Sequence, residues 1–290
     1  MRVYGLAESS VGLAFPPLHR GPVIDSIERN TFMQTGIAIA TQDEDQQALR
    51  FVSSGQPFAY HQIRVVDPAG HELPERHEGR LEFQGPASSC GYYRETEKTR
   101  ELFDGDWLDT GDLAYIANGE LFITGRIKDI IIRAGRNIYP HELEEAVGNI
   151  ENIRTGRVAV FGSPDEQSKT ERLIVMAETH SKDPTDHERL RTEINTLATD
   201  LIGSPPDEVV LAPPGSVLKT SSGKIRRAAS RELFEKGGIG KSQASAYWQI
   251  ARITFTGILP QSKRLWRYSK AVIYASYCWG IYFILASIAW

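Results

Sequence analysis

A Gly-Lys pair lies in "KTSSGKIRR" (Lys219 to Arg227), a turn-forming run of Ser, Thr and Gly followed by two arginines. A phosphate-cradling Walker loop needs a glycine five residues before its Gly-Lys and a Ser or Thr after the lysine. Those positions hold Leu218 and Ile225, so the spacing excludes that loop. The run alone leaves two readings for Lys224: a solvated basic turn ahead of a helix, or a cation delivered to chemistry elsewhere. Three other stretches bear on the choice, "YGLAE" (Tyr4 to Glu8), "DTGD" (Asp109 to Asp112) and "GRIKDIIIRAGRNIYPHELEE" (Gly125 to Glu145).

The elements that must position these residues follow from local pattern. Up to about Thr124 the chain reads as short strands and turns. "HQIRVVDPAG" is a strand and turn, "EGRLEFQG" a strand, and "RETEKTRELF" a short helix with Thr96 as its cap. "DLAYIANGELFITG" has two alternating runs around Asn118-Gly119, a strong hairpin signal. Beyond Gly125 the pattern becomes mixed. "DIIIRAG" reads as a strand, and "YPHELEEAV" opens a helix with Pro140 in its first turn. "GRVAVFG" and "RLIVMAET" are strands. In "DPTDHERLRTEINTLATDLIG", Leu190, Ile194, Leu197 and Leu201 recur at helical spacing before Gly203. "DEVVLAP" and "GSVLKT" read as strands, and "GKIRRAASRELFEKGG" as an amphipathic helix.

Composition bounds the class. The 290 residues are 41% hydrophobic and 24% charged with a net charge of -4, which is ordinary for a two-domain globular chain and gives no sign of nucleic-acid binding. Cys90 and Cys278 are far apart and lack metal-ligand spacing, which fits a reducing compartment.

In order and spacing, the four motifs together resemble the adenylate-forming (AMP-binding) superfamily: acyl-CoA synthetases, fatty acyl-AMP ligases and peptide-synthetase adenylation domains. The resemblance covers roughly residues 1 to 236. It implies an α+β fold: residues 1–124 as the strand-rich C-terminal part of the large AMP-binding domain, and 125–236 as the small mobile domain. Residues 237–267 would be a linker. The family reaction joins a carboxylate to the α-phosphate of ATP, releases pyrophosphate, and then passes the acyl group to a thiol.

The resemblance also implies roles. Lys224 would stabilise the charge developing on the carboxylate and α-phosphate oxygens. Tyr4 would lie against adenine and Glu8 would help hold Mg2+. Asp112 would accept hydrogen bonds from the ribose hydroxyls, and Arg126 would contact ribose or phosphate. Lys128 would be the hinge, and Gly135 would line the thiol tunnel. Tyr4, Glu8, Asp112, Arg126 and Gly135 have plain alternatives: a buried tyrosine, a capping glutamate, a turn aspartate, a surface ion pair, a turn glycine.

Ala7 in "YGLAE", the "RAGRNIYP" pattern and Ile132 point within the family to fatty acyl-AMP ligases. The implied partners are a fatty acid and the phosphopantetheine thiol of an acyl carrier protein, with CoA, hence an acyl-CoA synthetase, as the alternative. A carrier-binding or membrane-tethered remnant without chemistry is a third reading. The family's Ser/Thr/Gly-rich phosphate loop has no counterpart before Tyr4. The expectation is therefore a fragment, cut at both ends and a poor catalyst alone. Residues 271 to 290 are uncharged and follow Lys263, Arg264, Arg267 and Lys270. That predicts a truncated transmembrane segment over 268–290, with the catalytic part at the cytoplasmic face of the membrane.

Overall fold

The computed structural model describes residues 3–42, 48–164 and 171–238. The segment expected to span a membrane at 268–290, and all but the first two residues of the expected linker, lie outside the described residues. Among the described residues no helix is long and apolar enough to cross a membrane.

The fold is α+β. Strand β1 (Ala14–Phe15) pairs with β4 (Gln56–Pro57), and β2 (Ile24–Ile27) with β3 (Leu49–Val52), both antiparallel. Helix α1 (Arg29–Thr35) separates β2 from β3 in the chain. The largest sheet contains β5 (Gln62–Val66), β6 (Gly79–Gln84), β7 (Phe103–Asp104), β8 (Trp107–Ala117) and β9 (Glu120–Arg126). Its centre is β8, which pairs with β6, β7 and β9. Helix α2 (Thr96–Leu102) precedes β7. Glu95, not the expected Thr96, stands before its first turn, and no side chain caps it.

The β8–β9 hairpin turns where expected. Asn118 and Gly119 have φ of 52° and 71°, the paired positive values that a two-residue hairpin loop demands. Its ladder runs from Ala117 opposite Glu120 to Ala114 opposite Ile123, and then shifts to Leu113 opposite Gly125 and Asp112 opposite Arg126. Without the extra residue, Thr124, the first register would carry Asp112 opposite Gly125. The bulge therefore re-aims the base of the hairpin. Strand β9 runs unbroken through the expected boundary at 124/125, and Met1–Ile239 form one compact unit.

The expected single strand at "DIIIRAG" is instead a hairpin of β10 (Ile131–Arg133) and β11 (Arg136–Ile138). Ala134 and Gly135, with φ of 49° and 74°, reverse the chain between them. Next come α3 (Pro140–Gly148), β12 (Ile153–Pro164) and β13 (Glu171–Thr179), then α4 (Pro184–Ile202), β14 (Glu208–Ala212) and α5 (Arg227–Glu235). Strand β13 is central, antiparallel to β12 and parallel to β14, with α4 as the crossover. Helix α4 starts as its sequence predicts: Asp183 caps the Thr185 amide, Pro184 follows, and Gly203 closes the far end at φ 78°. "GSVLKT" forms no strand. Its Gly215 and Val217 amides donate to the buried Glu178 carboxylate instead of to a neighbouring strand.

Alternation on β12 and β13 divides the core. Val158, Val160, Leu173 and Val175 face one way, towards Leu143 of α3 and Leu190 and Ile194 of α4. Ala159, Phe161, Ile174 and Met176 face the other way, where Phe234 of α5 covers them. The first cluster continues into the strand-rich half. Phe32 stacks on Tyr139 at 5.5 Å between ring centroids, with Phe51 and Tyr115 around them. Tyr139 donates to Glu78 at 2.9 Å, and the buried Arg29 forks onto Glu142 of α3. Phe32 is fully buried at the centre of this box. Phe32→Ala should lower the unfolding free energy by about 3–5 kcal/mol, read as a shift of the urea midpoint at an unchanged slope.

Candidate functional site

The site grows from two turns and one hairpin base. Tyr4 is held by a pair of backbone bonds with Ala14, at 3.0 Å each. The chain then folds back so tightly that a Cβ on Gly5 would fall 1.6 Å from the Val11 carbonyl oxygen, so glycine is required there. In "DTGD", the Gly111 amide donates to Asp109 at 2.7 Å and the Asp112 amide to the Thr110 hydroxyl at 3.1 Å. Thr110 in turn donates to the Leu81 carbonyl at 2.8 Å. The turn is thereby anchored to β6.

These elements converge on Asp112, which is 7% exposed. The Tyr4 hydroxyl donates to its Oδ2 at 2.6 Å, across 108 residues of chain. Arg126 Nε reaches its Oδ1 at 3.2 Å, the cross-strand pair set by the bulge. Burial pushes the Asp112 carboxyl above the usual carboxylate range. The Tyr4 hydrogen bond, then Arg126 and Lys224, draw it back, while Asp129 adds to the rise. Burial, with Asp112 beside it, also pushes the Tyr4 hydroxyl well up, so it remains a donor.

Lys224 is exposed at the tip of a small hairpin. The Lys224 amide donates to the Thr220 hydroxyl at 3.0 Å and Thr220 N–H to the Lys224 carbonyl at 2.9 Å, with Gly223 at φ 85° between them. Its ammonium lies close enough to act on Asp112 electrostatically. Glu8 receives a hydrogen bond from the Tyr92 hydroxyl at 2.5 Å, which pushes that phenol up to about 12.

Tyr4, Asp112 and Arg126 are thus brought into contact, and the Lys224 charge acts on Asp112 from its own hairpin. Glu8 sits one turn beyond Tyr4 in the helical turn Ala7–Ser9. Lys128 is exposed in the short helical turn Ile127–Asp129, just after β9. Gly135 occupies the β10–β11 turn, where a Cβ would meet nothing within 4 Å. Sequence reasoning passed over Tyr92, in "GYYR", and Thr110, inside "DTGD" itself. The threonine was visible as a turn hydroxyl; the tyrosine's contact spans 84 residues and left no local trace. Among the described residues no three His, Cys, Asp or Glu side chains converge on a metal position.

The comparisons decide the family. No protein-family model matches the chain. A 4-hydroxyphenylalkanoate adenylyltransferase of Mycobacterium bovis is 35% identical over 251 residues, covering 80% of this chain and 39% of its own length. A long-chain-fatty-acid–AMP ligase of Mycobacterium marinum is 32% identical over 257 residues, covering 82% of this chain and 43% of its own. A solved structure from a study of fatty acyl-adenylate ligases of E. coli and L. pneumophila superposes with a TM-score of 0.73 at 31% identity, over 81% of this chain and 41% of that one. The chain belongs to the adenylate-forming superfamily. It spans about two-fifths of the length of the curated relatives it matches.

The raised Asp112 carboxyl makes a pH-dependent expectation. A carboxyl raised in the folded state is neutral in both states at low pH; it opposes folding increasingly as pH rises through the ordinary aspartate range, and fully once pH exceeds its raised folded pKa. Asp112→Asn should therefore stabilise the chain at neutral pH, and the gain should fade on acidification through the ordinary aspartate range. Thermal melts of both proteins from acid to neutral pH check this.

Proposed function

We propose that this chain forms part of the machinery of a fatty acyl-AMP ligase. That enzyme would activate a fatty acid with ATP to acyl-AMP and pass the acyl group to the phosphopantetheine thiol of an acyl carrier protein. The observation that carries the reading is the contact of Tyr4 and Arg126 with one buried carboxylate, Asp112, on which the Lys224 charge also acts. Bland alternatives account for each residue singly, but not for three separate stretches meeting there.

In the reaction a carboxylate oxygen forms a bond to the α-phosphorus, and the bond to pyrophosphate breaks. Two anions must approach, so the chain's part is to supply cations and fixed acceptors where charge develops. Lys224 suits this as a compact point charge on a flexible stem. Asp112 suits a ribose diol, since a carboxylate accepts from two hydroxyls; a bound nucleotide would compete with Tyr4 and Arg126 for its oxygens. In this reading the Tyr4 ring would lie against adenine. Glu8 fits Mg2+, because that ion takes one or two carboxylates when phosphates supply its other ligands and needs no all-protein cage. Bound Mg2+ would neutralise phosphate charge; Tyr92 fixes the Glu8 carboxylate beforehand. Lys128 is the proposed hinge between residues 1–124 and 125–236, and Gly135 the proposed lining of the thiol tunnel.

The carrier-protein acceptor is supported by the ligase relatives and by "RAGRNIYP". CoA is the competing acceptor, and product analysis with both thiols present separates the two. The uncharged run 271–290 behind four basic residues supports attachment at the cytoplasmic face of a membrane. Recovery of the chain in the soluble fraction without detergent would remove that part of the reading.

In a complete enzyme carrying this chain, Lys224→Ala should reduce carboxylate-dependent ATP–pyrophosphate exchange by about 10²–10³. Acyl transfer from supplied acyl-adenylate should suffer much less. Equal loss in both half-reactions would point instead to damage to the fold.

A further inference from the structure

Three residues beyond Lys224, Arg227 opens α5 and lies between two carboxylates from distant parts of the chain. Its Nε and Nη2 fork onto Glu144 of α3 at 2.8 and 2.6 Å. Its Nη1 reaches Asp129 at 2.7 Å. Glu144 is 6% exposed, and the same oxygen that meets Nε also accepts the Val160 amide of β12 at 3.0 Å. Asp129 directly follows Lys128. The loop between is otherwise tied at its base: the Arg226 amide donates to the Leu218 carbonyl at 2.8 Å, and the Leu218 amide to the fully buried Ser230 hydroxyl at 3.3 Å.

A lysine on a surface turn has a long, mobile side chain. Its value at a reacting centre depends on where its backbone is held, since a displacement of about 1 Å can cost on the order of a hundredfold in rate. A planar guanidinium with all three nitrogens engaged fixes direction as well as distance. The surface ion pair Arg191–Glu188, by contrast, lies along one helix. The Arg227 fork joins three elements.

We infer that Arg227 and Asp129 form a positioning clamp that fixes the Lys224 loop relative to the residue after Lys128, so that the lysine is delivered at a set reach whenever the small domain presents it. The inference rests on the adenylating role proposed for Lys224. Both partners follow Lys128 in the chain, so the clamp travels with the loop it holds. Glu144 anchors the fork to the small domain's core, and Asp129 sets its direction.

Asp129→Asn tests this with the fold intact, because the two bonds to Glu144 remain. Arg227→Lys keeps the charge and removes the fork. In the chain itself, either variant should speed amide exchange over residues 219–226 and leave α4 protected. In a complete enzyme, either should lower kcat for ATP–pyrophosphate exchange by about ten- to a hundredfold. KM for ATP should stay within about twofold and acyl transfer from supplied acyl-adenylate should be unchanged, a split that a general folding defect would not produce. Unchanged exchange over 219–226, a wild-type kcat, or equal loss in both half-reactions would overturn the clamp. A wild-type complete enzyme without carboxylate-dependent exchange would overturn the adenylating role instead, and the amide-exchange comparison would still decide whether the clamp holds the loop.

Discussion

The site depends on keeping one carboxylate charged where water has been removed. Asp112 is buried, and burial alone favours its neutral form. Tyr4 and Arg126 each satisfy one of its oxygens, and neither could do so without a specific backbone arrangement. Arg126 is opposite Asp112 because Thr124 is the extra residue in the β8–β9 ladder. Tyr4 reaches it because the opening segment is stitched to Ala14 and turned sharply at Gly5. The hairpin is therefore more than a scaffold. Its register decides which charge meets the aspartate, and it delivers the chain to Lys128 two residues later.

Much of this was legible locally. Asn118-Gly119 fixed the β8–β9 turn because only a few residues tolerate paired positive φ. Asp183, Pro184 and Gly203 marked both ends of α4. The bulge was not legible: the alternation in "ELFITGR" gives no sign that Thr124 will be passed over. The β10–β11 hairpin was missed because its turn uses Ala134 at positive φ, where propensity would not place an alanine. The "GSVLKT" strand failed for another reason, since its amides found a carboxylate 37 and 39 residues away. The motifs pointed to Glu8 and to the Lys224 loop, but the contacts that orient them, Tyr92 to Glu8 and Asp129 to Arg227, span 84 and 98 residues of chain.

The same distinction separates charges that act from charges that only decorate. Arg189, Arg191 and Lys236 pair with neighbours three or four residues away on exposed helix surfaces, where such pairs contribute little. Arg29, Arg126 and Arg227 pair across 113, 14 and 83 residues respectively with Glu142, Asp112 and Glu144, two of which are buried. Removing Arg126 or Arg227 would strand a buried carboxylate in a poor solvent, so these pairs constrain the fold far more than a single contact implies.

Those long-range contacts also limit what a rotation about Lys128 can do. Tyr139, 3% exposed, sits beyond that residue in sequence yet stacks on Phe32 and donates to Glu78 from before it. Arg29 and Glu142 join the same two sides. A swing that carried α3 away would uncover the aromatic box and part a buried guanidinium from its carboxylate, whereas the Arg227 fork, lying wholly beyond Lys128, would lose nothing. The arrangement seen is thus held by contacts that cross Lys128. If Lys128 is the hinge proposed above, a second arrangement would have to replace them with others of similar strength, and the balance would be set at Phe32, Arg29 and Glu78.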